Sequence, residues 1–269
     1  MIEHTATTRT GTAYSIAGDR NAECVVLIHG IGLNQSIWTA YTPLWAQRYR
    51  VIRYDLPGHG LTPSCERTLN LDVLAAQLVQ LLDELAITRA VLVGFSLGGM
   101  INRYFAMRYP QRCLGLVVLN SPHTRTPEAQ RLVEERLQQT ASEGPEATLD
   151  TSLARWLTPN FLSQETKAVR RIRKDFLQVD SASLTACRYI LAYGVIELVR
   201  HQTPIRSPTL IMTCEHDSGS TPEMALAIAR DIPGSEAVIV PGLQHLGLIE
   251  QPQLFIEPIE QFLLDTLSN

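Results

Sequence analysis

Apolar residues along the chain fall into two alternating rhythms. The continuous run at residues 24–28 suits a strand buried on both faces, and the short stretches at 50–54, 91–95, 114–119 and 208–212 mark further strands. Between them lie longer segments in which apolar residues recur every three or four positions. Leu71, Leu74, Leu78, Leu81, Leu82 and Leu85 share one face of a helix predicted over 69–85. A helix carrying Ile37, Trp38, Tyr41 and Leu44 is predicted after Ser36, its expected cap. Another follows residue 96 and ends near Tyr109-Pro110, and two more span 222–232 and 253–267. Residues 237–240 form a late strand, and residues 11–18 alternate weakly around Tyr14 and Ile16, which fits an exposed early strand. Strand and helix in alternation imply right-handed crossovers and a mostly parallel sheet flanked by helices, an α/β fold.

The rhythm changes after Ser121-Pro122. From about 126 to 199 there is no convincing strand, and arginine-rich stretches of helical period are broken near Gly144-Pro145, Thr158-Pro159 and Asp180-Ser181. This predicts a helical insertion, with residues 1–122 and 205–269 forming the α/β core and residues 123–204 a helical lid over it. The insertion is too small and too interrupted for a separate catalytic domain.

Composition narrows the partners. Hydrophobic content of 45% with 19% charged residues is ordinary for a globular enzyme, and a net charge of -4 gives no general attraction to nucleic acid or an anionic membrane. The expected partner is a small-molecule substrate, with a homodimer left open. The five cysteines (Cys24, Cys65, Cys113, Cys187, Cys214) are scattered and lack metal-ligand spacing, so buried free thiols in a reducing cytoplasm are expected. The start, Met1-Ile2-Glu3-His4-Thr5, has neither the basic end nor the apolar core of a signal peptide, and no run approaches a membrane span.

Candidate chemistry centres on Gly94-Phe95-Ser96-Leu97-Gly98, which stands between a predicted strand and a predicted helix. A serine at the tip of so sharp a turn needs small residues two before and two after it, so that strand and helix can approach. Serine is a poor nucleophile at neutral pH. It needs a base, and the base needs a carboxylate to hold its tautomer and orientation. Asp217, just beyond the 208–212 strand, and His245, just beyond the 237–240 strand, come at the carboxyl edge of the sheet, where open α/β sheets place their sites. Glu215 is the competing acid, and Asp217 is preferred because it is nearer the turn Ser218-Gly219. A charge developing on an attacked carbonyl oxygen needs preorganised donors. The N–H of Leu97 at a helix start and that of Ile31 in the glycine-rich loop His29-Gly30-Ile31-Gly32 are the candidates.

These pieces, with Asp55-Leu56-Pro57-Gly58-His59-Gly60, Pro208-Thr209-Leu210, and Glu250-Gln251-Pro252 after His245, resemble the α/β-hydrolase fold superfamily across nearly the whole chain. More narrowly, the sequence is similar to the branch of 3-oxoadipate enol-lactonases and meta-cleavage product hydrolases, and residues 154–161 are similar to the enol-lactonase lid. The chain departs from the family at Cys214, where glycine is usual before the acid, and at Gln244, where glycine often precedes the histidine. The resemblance implies a lid inserted after the sixth strand and a cofactor-free serine hydrolase. It also implies substrates among small esters, enol-lactones and amide-type carboxylic acids of aromatic or heteroaromatic ring catabolism. Carbon–carbon bond hydrolysis of dienoate ring-cleavage products is the enzymatic alternative, and a non-catalytic ligand receptor on the same fold the alternative of another class.

Other polar residues are assigned plainer roles. His29 and His59 are expected to bond loop backbone, and Asp55 to hold a turn. His216 beside Asp217 lacks a third ligand at metal spacing, so no metal site is expected. The insertion's arginines are expected to form a solvated helix face, with Arg155, next to Trp156, as the candidate for gripping a substrate carboxylate.

Overall fold

A computed structural model describes residues 3–201 and 203–267. One eight-stranded sheet runs through the molecule. Its strands are β1 (His4–Thr7), β2 (Ala13–Ala17), β3 (Cys24–Ile28), β4 (Arg50–Tyr54), β5 (Ala90–Phe95), β6 (Cys113–Leu119), β7 (Thr209–Cys214) and β8 (Glu236–Val240), in the spatial order β1-β2-β4-β3-β5-β6-β7-β8. Pairing is antiparallel for β1 with β2 and β2 with β4, and parallel from β4 through to β8. The continuous apolar runs become the central strands, and every residue of β3, β5 and β7 is buried. Helices on both faces account for this: α1 (Thr42–Trp45), α2 (Leu71–Glu84) and α3 (Leu97–Arg108) before the insertion, and α10 (Pro222–Asp231), α11 (Gly247–Glu250) and α12 (Gln253–Leu267) after it. The short α11 carried no signal in the sequence.

Two local expectations are corrected. The early strand β2 is buried rather than exposed, because β1 pairs along its outer edge. The sequence of β1, His4-Thr5-Ala6-Thr7, is too polar to announce a strand, and it is exposed at the sheet's margin. The helix expected after Ser36 is instead a single 3-10 turn, Gln35–Trp38, separated from α1. Asn34 is its cap, accepting from the Ser36 N–H at 3.0 Å. The Gln35 N–H and Nε2 are claimed by the two Asp55 oxygens at 2.8 and 3.0 Å, which pulls this turn toward the β4 loop. Asp55 also accepts from the Leu61 N–H at 3.0 Å, the turn-holding role expected of it.

Between β6 and β7 the described residues form six helices and no strand: α4 (Pro127–Glu143), α5 (Glu146–Trp156), α6 (Pro159–Ser163), α7 (Lys167–Leu177), α8 (Ser181–Tyr193) and α9 (Val195–Val199). The breaks at Gly144-Pro145, Thr158-Pro159 and Asp180-Ser181 fall where expected, and two more occur at residues 164–166 and at Gly194. Thr126, Thr158, Thr166 and Asp180 each cap the helix they precede, by accepting a first-turn N–H through a side-chain oxygen. These helices sit over the carboxyl edge of the sheet. Leu153, Val169, Phe176 and Leu184 are fully buried there and join the core without a seam.

Candidate active site

β5 runs into α3 through a single residue, Ser96, whose backbone is at φ 55°, ψ -111°. That is a strained conformation for a residue with a Cβ. It is held by the Ser96 N–H donating to Leu119 O at 2.8 Å, and by the Ser121 hydroxyl donating to Ser96 O at 2.9 Å. The flanking glycines are required by space. A Cβ on Gly94 would lie 2.2 Å from Gly98 O, and one on Gly98 would lie 2.3 Å from Ile28 O. The turn therefore points the Ser96 side chain out of the sheet edge, into a cleft roofed by the insertion.

His245 meets it there. Its Nε2 lies 3.1 Å from Ser96 Oγ and its Nδ1 lies 2.6 Å from Asp217 Oδ2. Asp217 is almost completely enclosed, and both oxygens are engaged. Oδ1 accepts from the Gly219 and Ser220 N–H groups, each at 2.9 Å, while Oδ2 accepts from the Asn120 amide at 2.9 Å and from His245. Burial alone would raise this carboxyl. The facing imidazole, the Asn120 amide and the Ser220 N–H outweigh it and hold the group below its ordinary value, so it is an anion at neutral pH. Glu215, the rival acid, is exposed and accepts from the Gly242 N–H at 2.8 Å, away from the imidazole.

The loop carrying Ile31 is fixed by two buried histidines. His29 Nδ1 donates to Gly30 O at 2.7 Å, and its Nε2 accepts the Leu56 N–H at 2.9 Å. His59 Nδ1 donates to Pro57 O at 3.0 Å, and its Nε2 accepts the Gly32 N–H at 3.2 Å. Accepting at Nε2 requires the neutral ring. Burial lowers His29 to about 4, and burial together with its neighbour His29 lowers His59 to about 3. Both are structural, as expected. Ile31 lines the cleft beside Ser96, and its N–H has no acceptor among the described residues. The Leu97 N–H, in the first turn of α3, has no carbonyl one turn behind it. These two donors are free to meet a developing oxyanion.

The cleft is narrow, with a cavity volume of about 60 Å³, below the usual range for a small-molecule site. Arg155 and Trp156 both line it, so the two residues singled out in the insertion do reach Ser96 and His245. The expectation of a solvated arginine face is corrected for part of the insertion. Arg125, Arg136 and Arg188 also line this cleft, Arg188 with only 6% of its surface exposed.

The supports that sequence reading missed act from a distance in the chain. Asn120, at φ 45° just past β6, holds Asp217. Buried Arg103 on α3 donates to Ser121 Oγ, Pro122 O and Gly99 O at 3.1, 2.8 and 2.9 Å, clamping the strand end next to the Ser96 turn. The two departures from the family pattern acquire reasons. Gln244 Nε2 donates to Ala154 O and Arg155 O at 3.1 and 3.3 Å, and the Leu246 N–H donates to Trp156 O at 2.7 Å, so the His245 loop is tied to the end of α5. Glu250 extends the tie by accepting from both the N–H and the hydroxyl of Thr158 at 2.7 Å. Cys214 fits because residue 247 is glycine, where a Cβ would lie 2.7 Å from the Cys214 sulfur. Among the described residues no cluster of three or more His, Cys, Asp or Glu is placed to hold a metal, and exposed His216 has only Glu215 beside it, at 3.8 Å.

A parallel sheet that ends in a strand–serine–helix turn, under a helical insertion after its sixth strand, defines a class of hydrolase. Residues 23–252 match the family described as alpha/beta hydrolase fold, and the chain belongs to it. It is 26% identical over 247 residues to 3-oxoadipate enol-lactonase 2 of Acinetobacter baylyi, covering 92% of this chain and 91% of that protein. It is 24% identical to the (E)-2-((N-methylformamido)methylene)succinate hydrolase of the same organism, covering 91% of each. The crystal structure of the enol-lactonase from Burkholderia xenovorans LB400 superposes with a TM-score of 0.86 at 27% identity, covering 97% of this chain and 99% of that one. The chain is an α/β-fold hydrolase. No described helix is long and apolar enough to cross a membrane.

Proposed function

We propose that the protein is a serine hydrolase that works through an acyl-enzyme on a small ester, enol-lactone or amide-type substrate carrying a carboxylate. The observation that carries this reading is the unbroken chain from Ser96 Oγ through His245 to Asp217, at 3.1 and 2.6 Å. His245 takes the Ser96 proton as Oγ attacks the carbonyl carbon, and the anionic Asp217 stabilises the imidazolium. The Ile31 and Leu97 N–H groups receive the oxyanion. His245 then gives its proton to the departing alkoxide, enolate or amine. Water deprotonated by the same imidazole attacks the acyl-enzyme, and Ser96 recovers its proton as the acid product leaves. The insertion acts as a lid over this edge, excluding water and shaping the pocket through Trp156, which lies 6.3 Å from the His245 ring and edge-on to Phe176. The buried cysteines fit a cytoplasmic setting.

Acidic substrates are supported by the arginines of the cleft and by the names of the similar proteins, an oxoadipate enol-lactonase and a substituted-succinate hydrolase. The reading is tested by incubating the folded protein with a fluorophosphonate and locating the adduct by mass spectrometry. Labelling on Ser96, with ester turnover lost in Ser96→Ala by at least about four orders of magnitude, is the expected result. A folded protein that takes no label at Ser96 sinks the mechanism.

A further inference from the structure

Four arginines face Ser96 and His245 across the cleft, each from a different part of the insertion. Arg125 comes from the segment after β6, Arg136 from α4, Arg155 from the end of α5 and Arg188 from α8. No Asp or Glu lines the cleft, and none of the four makes an ion pair among the described residues. Arg188 is the most enclosed. Its Nη2 donates to the hydroxyls of Thr148 and Ser152 at 3.2 and 3.3 Å, while its Nε has no acceptor; the Arg155 Nε is buried without one as well. Burial, reinforced by Arg155 and Arg136, lowers Arg188 to about 9. Burial, with repulsion from Arg136, lowers Arg125 and Arg155 to about 10. All four remain cations at neutral pH.

Asp217 offsets part of the charge at Arg155 and Glu135 part of it at Arg136, while no carboxylate acts on Arg125 or Arg188; desolvated guanidiniums so short of counter-charge are unfavourable, and hydroxyl acceptors do not neutralise them. One carboxylate engages one or two guanidinium forks bidentately. Four forks entering from several directions therefore exceed what a single carboxylate can satisfy. We propose that the substrate is a small polycarboxylate, with at least two carboxylates held by Arg125, Arg136, Arg155 and Arg188 in addition to the carbonyl group presented to Ser96. The assignment rests on the serine-hydrolase reading for the reacting end and on the arginine wall alone for the charges. Apolar contact from Val133 and Leu191, which also line the cleft, limits the space between the charged groups to a short carbon skeleton.

The test uses the whole protein and three 4-nitrophenyl esters: the acetate with no carboxylate, the monosuccinate with one, and a tricarballylate monoester with two. The kcat/KM is expected to rise by about tenfold or more with each added carboxylate, as each gains a charge-assisted bidentate contact. Tricarballylate should inhibit at concentrations at least about tenfold lower than acetate or inorganic phosphate does. In Arg188→Gln and, separately, Arg136→Gln, the ratio of kcat/KM for the tricarballylate ester to that for the acetate should fall by about tenfold or more. A flat ester series, or tightest inhibition by inorganic phosphate, overturns the proposal. If the acetate ester is cleaved and a fluorophosphonate labels Ser96 while the series stays flat, only the polycarboxylate assignment fails. If no ester is cleaved and Ser96 takes no label, the serine-hydrolase reading fails. The arginine wall is then judged by melting temperature: a rise with tricarballylate beyond that with sodium chloride of equal ionic strength supports it, and no rise rejects it.

Discussion

The two walls of the cleft are built on opposite principles. On the sheet side, both oxygens of Asp217 are engaged, both ring nitrogens of His245 have partners, and His29 and His59 are neutral rings with both nitrogens occupied. On the insertion side, four cations share a space with no carboxylate, and two of them bury an Nε with no acceptor. In the proposed mechanism Ser96, His245 and Asp217 move a proton, which requires one geometry held before the substrate arrives, and their hydrogen bonds are complete within the protein. A binding wall is completed by its ligand, and an empty one carries the cost of its unmatched charges. Pre-organisation for chemistry and incompleteness for binding thus meet across one cleft.

Disrupting the sheet-side wall should have the largest effect. Asp217→Asn keeps the shape but cannot hold the same imidazole tautomer, because its amide would face His245 or Asn120 with a donor. Turnover of any accepted ester should fall by about 10⁴, measured as kcat. A loss under about tenfold would mean that the relay is not what drives the reaction. The incomplete side should respond with the opposite sign in stability. Arg188→Met removes a buried, unpaired charge, and replacing such groups by apolar ones of similar volume tends to stabilise a fold by about 1 kcal/mol or more. The ligand-free melting temperature should rise by about 2–4 °C for a chain of this size, and a fall would mean that the Thr148 and Ser152 bonds outweigh the desolvation of Arg188. A third effect, the broadest, is on pH stability. His29 and His59 are lowered to about 4 and about 3 by burial, against an ordinary value of 6.5. The unfolded chain takes up protons that the fold refuses, so stability present above about 6.5 should be lost as pH falls from there toward 4, with Asp217 adding to the loss only below its ordinary 3.8. Melting curves between pH 7 and pH 4 check this, and a melting temperature that holds level over that range would contradict the neutral-histidine geometry.

Much of this was legible without coordinates. The helices over 71–84 and 253–267 and the central strands appear nearly at their expected ends, because one face or both faces of each are apolar for their full length. Ser96, Asp217 and His245 were legible for a related reason: each stands where a strand pattern stops, and strand ends of a parallel sheet converge on one edge. What was illegible depended on partners far away in the chain. The strand β1 is recognisable only by its pairing with β2, and the 3-10 turn after Asn34 only by the pull of Asp55. The role of Gln244 emerges only when the end of α5 lies beside it. The insertion's arginines read as a solvated face, because the helical period tells which residues share a face and says nothing of what that face meets.

The central strands, the turn at Ser96 and the order of the residues that follow it rest on short-period patterns and local sterics, which the amino-acid order carries unaided. That Arg125, Arg136, Arg155 and Arg188 line the same cleft as Ser96 comes from the packing of distant segments. Their sequence separations follow no period. They meet because four separate segments fold over one sheet edge, and the sum of their charges exists only in that space.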